Sequence, residues 1–173
     1  PNCSECKQGY YPDNSTSIMC STCDSNCITE SCSTLNGKCS KCQPNYHPYP
    51  DNTRQCISCD SNCIENTCDT SNGECPRCFN HHYVNPTNKT ECIPCDDKCI
   101  EGYCDGTNGE CSKCINNYYP NPTNPNECIP CDSTCADKKC NTTTGECYEC
   151  DEDYYHNSTN NKVCISYFLI FIV

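Results

Sequence analysis

The chain has no tryptophan, a single methionine, Met19, and only three phenylalanines in 173 residues. Two of these, Phe168 and Phe171, fall in the last six positions. A chain of this length can bury one sizeable core, but this one lacks the Leu, Ile, Val and Phe to fill it. That excludes an ordinary single-core globule. Cations are scarce as well: 11 Lys and Arg stand against 23 Asp and Glu, for a net charge of −12. Nucleic acid is excluded as a partner, because its phosphates demand Lys and Arg. A bilayer-spanning helix takes about 20 apolar residues, and the chain ends in a run of only six, 168–173. Pro and Asn interrupt every segment of useful length, so little helix is expected, and short irregular strands and turns take its place.

What is abundant is cysteine. The 27 cysteines are about 16% of the chain, well above the roughly 8–10% that marks a disulfide scaffold. From Cys20 the gaps run two, three, four, six, two and thirteen residues, and the series restarts at Cys56, Cys92 and Cys128 and stops at Cys164. A period of 36 residues signals an array in which each unit mostly contacts its neighbours. The units are a partial repeat at 1–19, truncated N-terminally, full repeats at 20–55, 56–91, 92–127 and 128–164, and an apolar tail at 165–173. Cys3 and Cys6 occupy the fifth and sixth positions, so the chain starts inside a repeat. No signal peptide is present although the compartment calls for one, so Pro1 is expected not to be the start of the gene product. Disulfides persist in oxidising compartments, which makes the protein extracellular or cell-surface. Five N-glycosylation sequons agree: Asn2, Asn14, Asn88, Asn141 and Asn157. Asn85 and Asn121 are excluded because Pro follows each.

Between the fourth and fifth cysteines lie Asn36-Gly37, Asn72-Gly73, Asn108-Gly109 and Thr144-Gly145. Asn-Gly predicts a tight hairpin turn with two residues at positive φ. The long loops carry aromatic pairs such as Tyr10-Tyr11, Tyr118-Tyr119 and Tyr154-Tyr155. These are read as covering the disulfides and packing on the adjacent unit, in preference to a carbohydrate-binding stripe. Asp24, Asp60, Asp96 and Asp132 share one phase, and Glu74, Glu110 and Glu146 another. Calcium needs six to eight converging oxygens, so these are read as turn-forming and solvated acids. His47, His81, His82 and His156 drift in phase, which argues against a shared ligand set.

The series C-x2-C-x3-C-x4-C-x6-C-x2-C-x13-C resembles the furin-like, growth-factor-receptor cysteine-rich repeat over residues 3–164. Similar CxxC-rich, Asn- and Thr-rich arrays are found in protist surface antigens and adhesins, which this chain resembles more than an animal receptor. The resemblance implies an extended rod of tandem 36-residue, disulfide-rich repeats with short β-hairpins and little helix. Six cysteines by themselves allow fifteen connectivities. The family's pairing, carried over, joins the second to the fourth, the third to the fifth, and the sixth to the first of the next unit. It implies Cys6–Cys20, Cys23–Cys32, Cys27–Cys39, Cys42–Cys56, Cys59–Cys68, Cys63–Cys75 and Cys78–Cys92 in the first half. In the second half it implies Cys95–Cys104, Cys99–Cys111, Cys114–Cys128, Cys131–Cys140, Cys135–Cys147 and Cys150–Cys164. Cys3 is left unpaired, its partner being expected in the truncated unit, with a covalent partner in another chain as the rival.

Cys3-x2-Cys6-x13-Cys20-x2-Cys23 also has the outline of a four-cysteine zinc ribbon. Zinc leaves two cysteines per repeat without a role and suits a reducing compartment, so disulfides are preferred and no metal or other cofactor is expected beyond covalent glycans. Redox catalysis calls for one perturbed CxxC on a stable fold, and no Ser/His/Asp or Cys/His constellation stands out, so no catalytic residue is assigned and the chain is not read as an enzyme. In the tail, Phe168, Leu169, Ile170, Phe171, Ile172 and Val173 are the assembly or anchor candidates. They read as a β-strand that pairs with a neighbouring subunit, or as the start of a transmembrane helix or GPI signal. The expected function is a non-enzymatic structural repeat protein of an extracellular coat or glycosylated fibre, assembling through its ends and tail with copies of itself or another coat protein. The second reading is the stalk of a membrane- or GPI-anchored surface antigen, adhesin or receptor, with the membrane as partner through the tail. A zinc-binding repeat protein with four-cysteine sites is the distant third.

Overall fold

The structure, a computed structural model, describes residues 6–13 and 19–167. Ten short strands run in chain order: β1 (Tyr10–Asp13), β2 (Met19–Thr22), β3 (Tyr46–Tyr49), β4 (Asn52–Ser58), β5 (His82–Val84), β6 (Cys92–Pro94), β7 (Tyr118–Pro120), β8 (Cys128–Pro130), β9 (Tyr154–His156) and β10 (Cys164–Ser166). Consecutive strands pair into five two-stranded sheets. Helix is nearly absent among the described residues, where Thr29–Ser31 forms a 3-10 turn. This is a small disulfide-rich tandem-repeat fold.

Each hairpin recurs at the same phase because the sixth cysteine leads into it and the next first cysteine closes it. The register sets Pro12 opposite Cys20, Pro48 opposite Cys56, Pro120 opposite Cys128 and His156 opposite Cys164. Proline cannot donate to a ladder, and a two-stranded ribbon leaves edges where that costs nothing. A residue with left-handed backbone precedes each hairpin: Gly9, Asn45, His81, Asn117 and Asp153. Its carbonyl accepts the N–H of the residue that ends the hairpin, Cys23, Cys59, Cys95, Cys131 and Tyr167 respectively. Tyr167 therefore takes the place of the second cysteine of a repeat, and the hairpin geometry continues through it although the cysteine series does not.

Thirteen disulfides cross-link the described residues, separated in sequence by 9, 12 or 14 positions. They are the same thirteen pairs that the resemblance implies. Among the described residues the buried side chains are cysteines, with His47 the polar exception. Two disulfides stack at the heart of each repeat. The Cys39 and Cys56 sulfurs of Cys27–Cys39 and Cys42–Cys56 lie 3.6 Å apart, and the equivalent contacts at Cys75/Cys92, Cys111/Cys128 and Cys147/Cys164 are 3.7, 3.6 and 3.5 Å. Tyr46, Val84 and Tyr118 pack against these sulfur clusters from the hairpins.

The chain divides into two compact units, Pro1–Phe79 with Val84–Cys92, and Asn80–Tyr83 with Ile93–Val173. The first holds the β1–β2 and β3–β4 hairpins and the second the β7–β8 and β9–β10 hairpins.

Candidate functional site at the repeat junctions

The Asp rows form local turns. Oδ1 of Asp24, Asp60, Asp96 and Asp132 accepts the N–H of Asn26, Asn62, Lys98 and Thr134 at 2.7–2.9 Å. Asp60 also reaches the next hairpin, where its Oδ2 accepts the Cys92 N–H at 3.2 Å. A short side chain that bonds the backbone two residues on fixes the turn by itself.

The Asn-Gly turns differ from the two-residue hairpin turn that the dipeptide predicts. Only the glycine is left-handed: Gly37, Gly73, Gly109 and Gly145 have φ of +72° to +84°. The Asn side chain bends back instead, and Oδ1 of Asn36, Asn72 and Asn108 accepts the N–H two residues on. The turn is wider, closed from the glycine N–H to the carbonyl of Ser33, Asp69, Asp105 or Asn141 at 2.8 Å.

Asp69 starts one of these turns. Its carboxylate accepts the N–H of Ser71 at 2.7 Å and of Asn72 at 3.3 Å. The Ser71 bond is the main cause holding its carboxyl below the ordinary 3.8. A depressed carboxyl stabilises the fold above its unfolded pKa and loses that stabilisation as pH falls through the folded value. Titration followed by NMR is therefore expected to place Asp69 below 3.8, and a value that is not depressed rejects the turn bonds as the cause.

The glycines matter for a second reason. A Cβ built on Gly37, Gly73, Gly109 or Gly145 lies 2.5–2.7 Å from the ring of Tyr11, His47, Tyr83 or Tyr119. Each ring is the second member of the aromatic pair in the preceding hairpin, always 26 residues earlier. The aromatic pairs thus pack on the adjacent unit, ring against bare glycine backbone. At three of these junctions a side chain from the following loop joins the contact. The Arg54 guanidinium lies 5.1 Å from the Tyr11 centroid and the Lys162 ammonium 4.6 Å from that of Tyr119, and Asn126 crowds Gly109 beside Tyr83. A cation over an aromatic face adds about 0.5–1 kcal/mol at an exposed site.

Two junctions carry an amide clamp as well. Asn45 Nδ2 donates to Asn66 Oδ1 at 3.2 Å while the Asn66 N–H donates to Asn45 Oδ1 at 2.6 Å. Two repeats on, Asn117 Nδ2 donates to Asp137 Oδ1 and the Lys138 N–H donates to Asn117 Oδ1, at 2.7 and 2.8 Å. At these same junctions the Cys42 and Cys114 N–H groups donate to the Thr70 and Thr142 carbonyls. Each junction is therefore closed by a disulfide and a ring–glycine contact, and two of them by these further hydrogen bonds. Sequence reasoning missed the clamp, the cations and the steric role of glycine. The fixed 26-residue offset between aromatic and glycine was the available signal.

Three of the four sulfurs that the zinc-ribbon spacing selects converge within 4.8 Å at Cys75, Cys78 and Cys92, at Cys111, Cys114 and Cys128, and at Cys147, Cys150 and Cys164, but every one is half of a disulfide, and the fourth members Cys95 and Cys131 are bonded to Cys104 and Cys140. In the counterpart set Cys39, Cys42, Cys56 and Cys59, the last is bonded to Cys68. In that repeat Cys27 joins Cys39 and Cys56 within 4.8 Å, and each is again half of a disulfide. The histidines are dispersed. His47 is a junction ring, His81 Nε2 bonds the Asp96 carbonyl at 3.0 Å, His82 Nδ1 bonds the Asn80 carbonyl at 2.7 Å, and His156 ends β9.

Of the sequons, Asn88 is exposed, and Asn141 and Asn157 are half-buried. Asn2, Asn14, Cys3 and the tail candidates Phe168, Leu169, Ile170, Phe171, Ile172 and Val173 lie outside the described residues. No helix among the described residues is long and apolar enough to cross a membrane. No family model matches the chain, and no curated protein matches it.

Proposed function

We propose that this chain is a non-enzymatic structural repeat protein of an extracellular coat or glycosylated fibre, related to the furin-like cysteine-rich arrays. The observation that carries this reading is the repeated junction. A disulfide from each sixth cysteine to the next first cysteine is joined at four successive glycines by the same ring contact. The same disulfide and ring contact recur from junction to junction, which is what a force-carrying or spacing element requires. The thirteen disulfides also call for an oxidising environment. Partners on this reading are copies of the chain or another coat protein, met through its ends and through residues 168–173.

The second reading, the stalk of a membrane- or GPI-anchored surface antigen, adhesin or receptor, draws on one sequence observation. Tyr167 stands where a cysteine is due, and six apolar residues follow. One deletion separates the two. Secreted protein lacking residues 166–173 is expected to lose self-assembly, measured by light scattering after size exclusion and by electron microscopy. Assembly equal to that of the full chain would refute the coat reading in its present form.

A further inference from the structure

The loop that connects the two strands of a hairpin is built alike in three repeats. Asn85, Asn121 and Asn157 open it, and each Oδ1 accepts both the N–H and the Oγ–H of the Thr two residues on, Thr87, Thr123 and Thr159, at 2.8–3.0 Å. Two side-chain differences then set the third loop apart. Pro86 and Pro122 follow the first two asparagines, whereas Ser158 follows Asn157. The Asn85 and Asn121 amides are also spent, donating Nδ2 to Glu91 at 2.9 Å and to Glu127 at 3.1 Å. At the equivalent position the fourth repeat has Val163, and Asn157 Nδ2 meets no acceptor among the described residues.

Asn88, in the first of these loops, repeats the arrangement. Its Oδ1 accepts the Thr90 N–H at 3.3 Å and Oγ–H at 2.8 Å, and its Nδ2 has no described acceptor. Asn141 is built differently. Its Oδ1 takes the backbone N–H groups of Thr143 and Thr144, and its Nδ2 donates to the Tyr148 hydroxyl at 2.5 Å. Its amide is thus held, with a phenol where a saccharide would sit.

We infer that Asn157 and Asn88 are the glycan-bearing sites of the described array and that Asn141, although a sequon, is left bare in the folded chain. The reaction is transfer from an oligosaccharyl pyrophosphate donor. The bond between saccharide C1 and the pyrophosphate oxygen breaks, its electron pair leaving on that oxygen. The Nδ2–C1 bond forms, and one Nδ2 proton passes to a base of the transferase. Nδ2 must be free to attack and the Thr hydroxyl must lie against the same amide, which both hold at Asn88 and Asn157. The glycans then project from the loops that join the hairpin strands, in the second and fourth repeats.

The inference rests on the reading of the chain as a secreted glycoprotein, and its test is independent of assembly. The full chain, with a cleavable leader, is secreted from a eukaryotic cell line, and the glycans are released enzymatically in heavy-oxygen water. Each occupied Asn becomes a labelled Asp that peptide mass spectrometry locates. Label is expected at Asn88 and Asn157 and is expected to be missing at Asn141. Val163→Glu, which restores the carboxylate of the blocked loops, is expected to lower label at Asn157. Tyr148→Phe, which frees the amide, is expected to raise it at Asn141. Ser158→Pro is the control that removes label at Asn157. Equal label at all three sites, or occupancy indifferent to Val163→Glu and Tyr148→Phe, overturns the inference, as does an unlabelled Asn157. The coat reading fails on the deletion experiment alone.

Discussion

Treatment with a dithiol at neutral pH, without denaturant, is expected to abolish the folded state of the whole chain. Among the described residues the buried side chains are cysteines plus His47, so reduction removes the core of the described array. Each loop closed by a disulfide spans 9, 12 or 14 residues, which in the chain-entropy model is about 3 kcal/mol per bond. With three bonds in each 36-residue unit, that exceeds the roughly 0.05–0.15 kcal/mol per residue by which native proteins are ordinarily stable. What remains are hairpins of three to seven residues per strand, and an isolated two-stranded hairpin is marginal at best in water. Amide dispersion in the NMR spectrum and near-ultraviolet circular dichroism are both expected to collapse. Intact mass is expected to report two hydrogens gained for each of the thirteen bonds, and more than one alkylatable thiol in the untreated chain would contradict the pairing. Native dispersion in the reduced, alkylated chain would mean that some other core holds the repeats.

Much of this architecture was legible before the structure, because disulfide spacing is linear information. The period places every hairpin, and the phase of Asp24, Asp60, Asp96 and Asp132 places the turns, since an Asp that bonds the N–H two residues on acts within its own sequence neighbourhood. The pairing came only through resemblance, as six cysteines per unit do not choose among fifteen arrangements by themselves. What stayed hidden depends on residues from different repeats. Asn-Gly suggested two left-handed residues, yet Asn72 keeps an ordinary φ and caps Glu74, while Gly73 is required by the His47 ring beside it. The Asn45–Asn66 clamp spans 21 residues, and nothing in either residue's surroundings marks the other as its partner. By sequence Tyr167 falls in the apolar tail of 165–173, but its N–H bond to Asp153 and its ring 5.0 Å from that of Tyr155 make it the last element of the final hairpin.

The second large effect is expected at Gly145, with Gly102 as its control. Both are left-handed, at φ +77° and +83°, so Ala at either position carries the same backbone penalty of about 1–2 kcal/mol. They differ in surroundings. A Cβ on Gly102 meets nothing within 4 Å, whereas one on Gly145 lies 2.6 Å from Cγ and Cδ2 of Tyr119. Tyr119 has little room to yield, because it is paired with Ile129 in the β7–β8 hairpin and lies beneath the Lys162 ammonium. Overpacking of this kind adds about 1–3 kcal/mol. Gly145→Ala is thus expected to cost about 2–5 kcal/mol locally, against about 1–2 kcal/mol for Gly102→Ala. Hydrogen exchange reads the difference directly, since each 1.4 kcal/mol is about tenfold in opening. In Gly145→Ala the Gly145-position and Cys147 amides, bonded to the carbonyls of Asn141 and Asn161, are expected to lose protection roughly 30-fold or more. In Gly102→Ala the Tyr103 amide, bonded to Ile100, is expected to lose about tenfold. The ring is identified as the cause by a double-mutant cycle. Tyr119→Ala alone removes the stacking, but combined with Gly145→Ala it removes the clash too, so the two costs are expected to sum to more than the double variant shows. Strict additivity would mean that the ring and the glycine do not meet, and the junction on which the structural-repeat reading depends would have to be sought elsewhere.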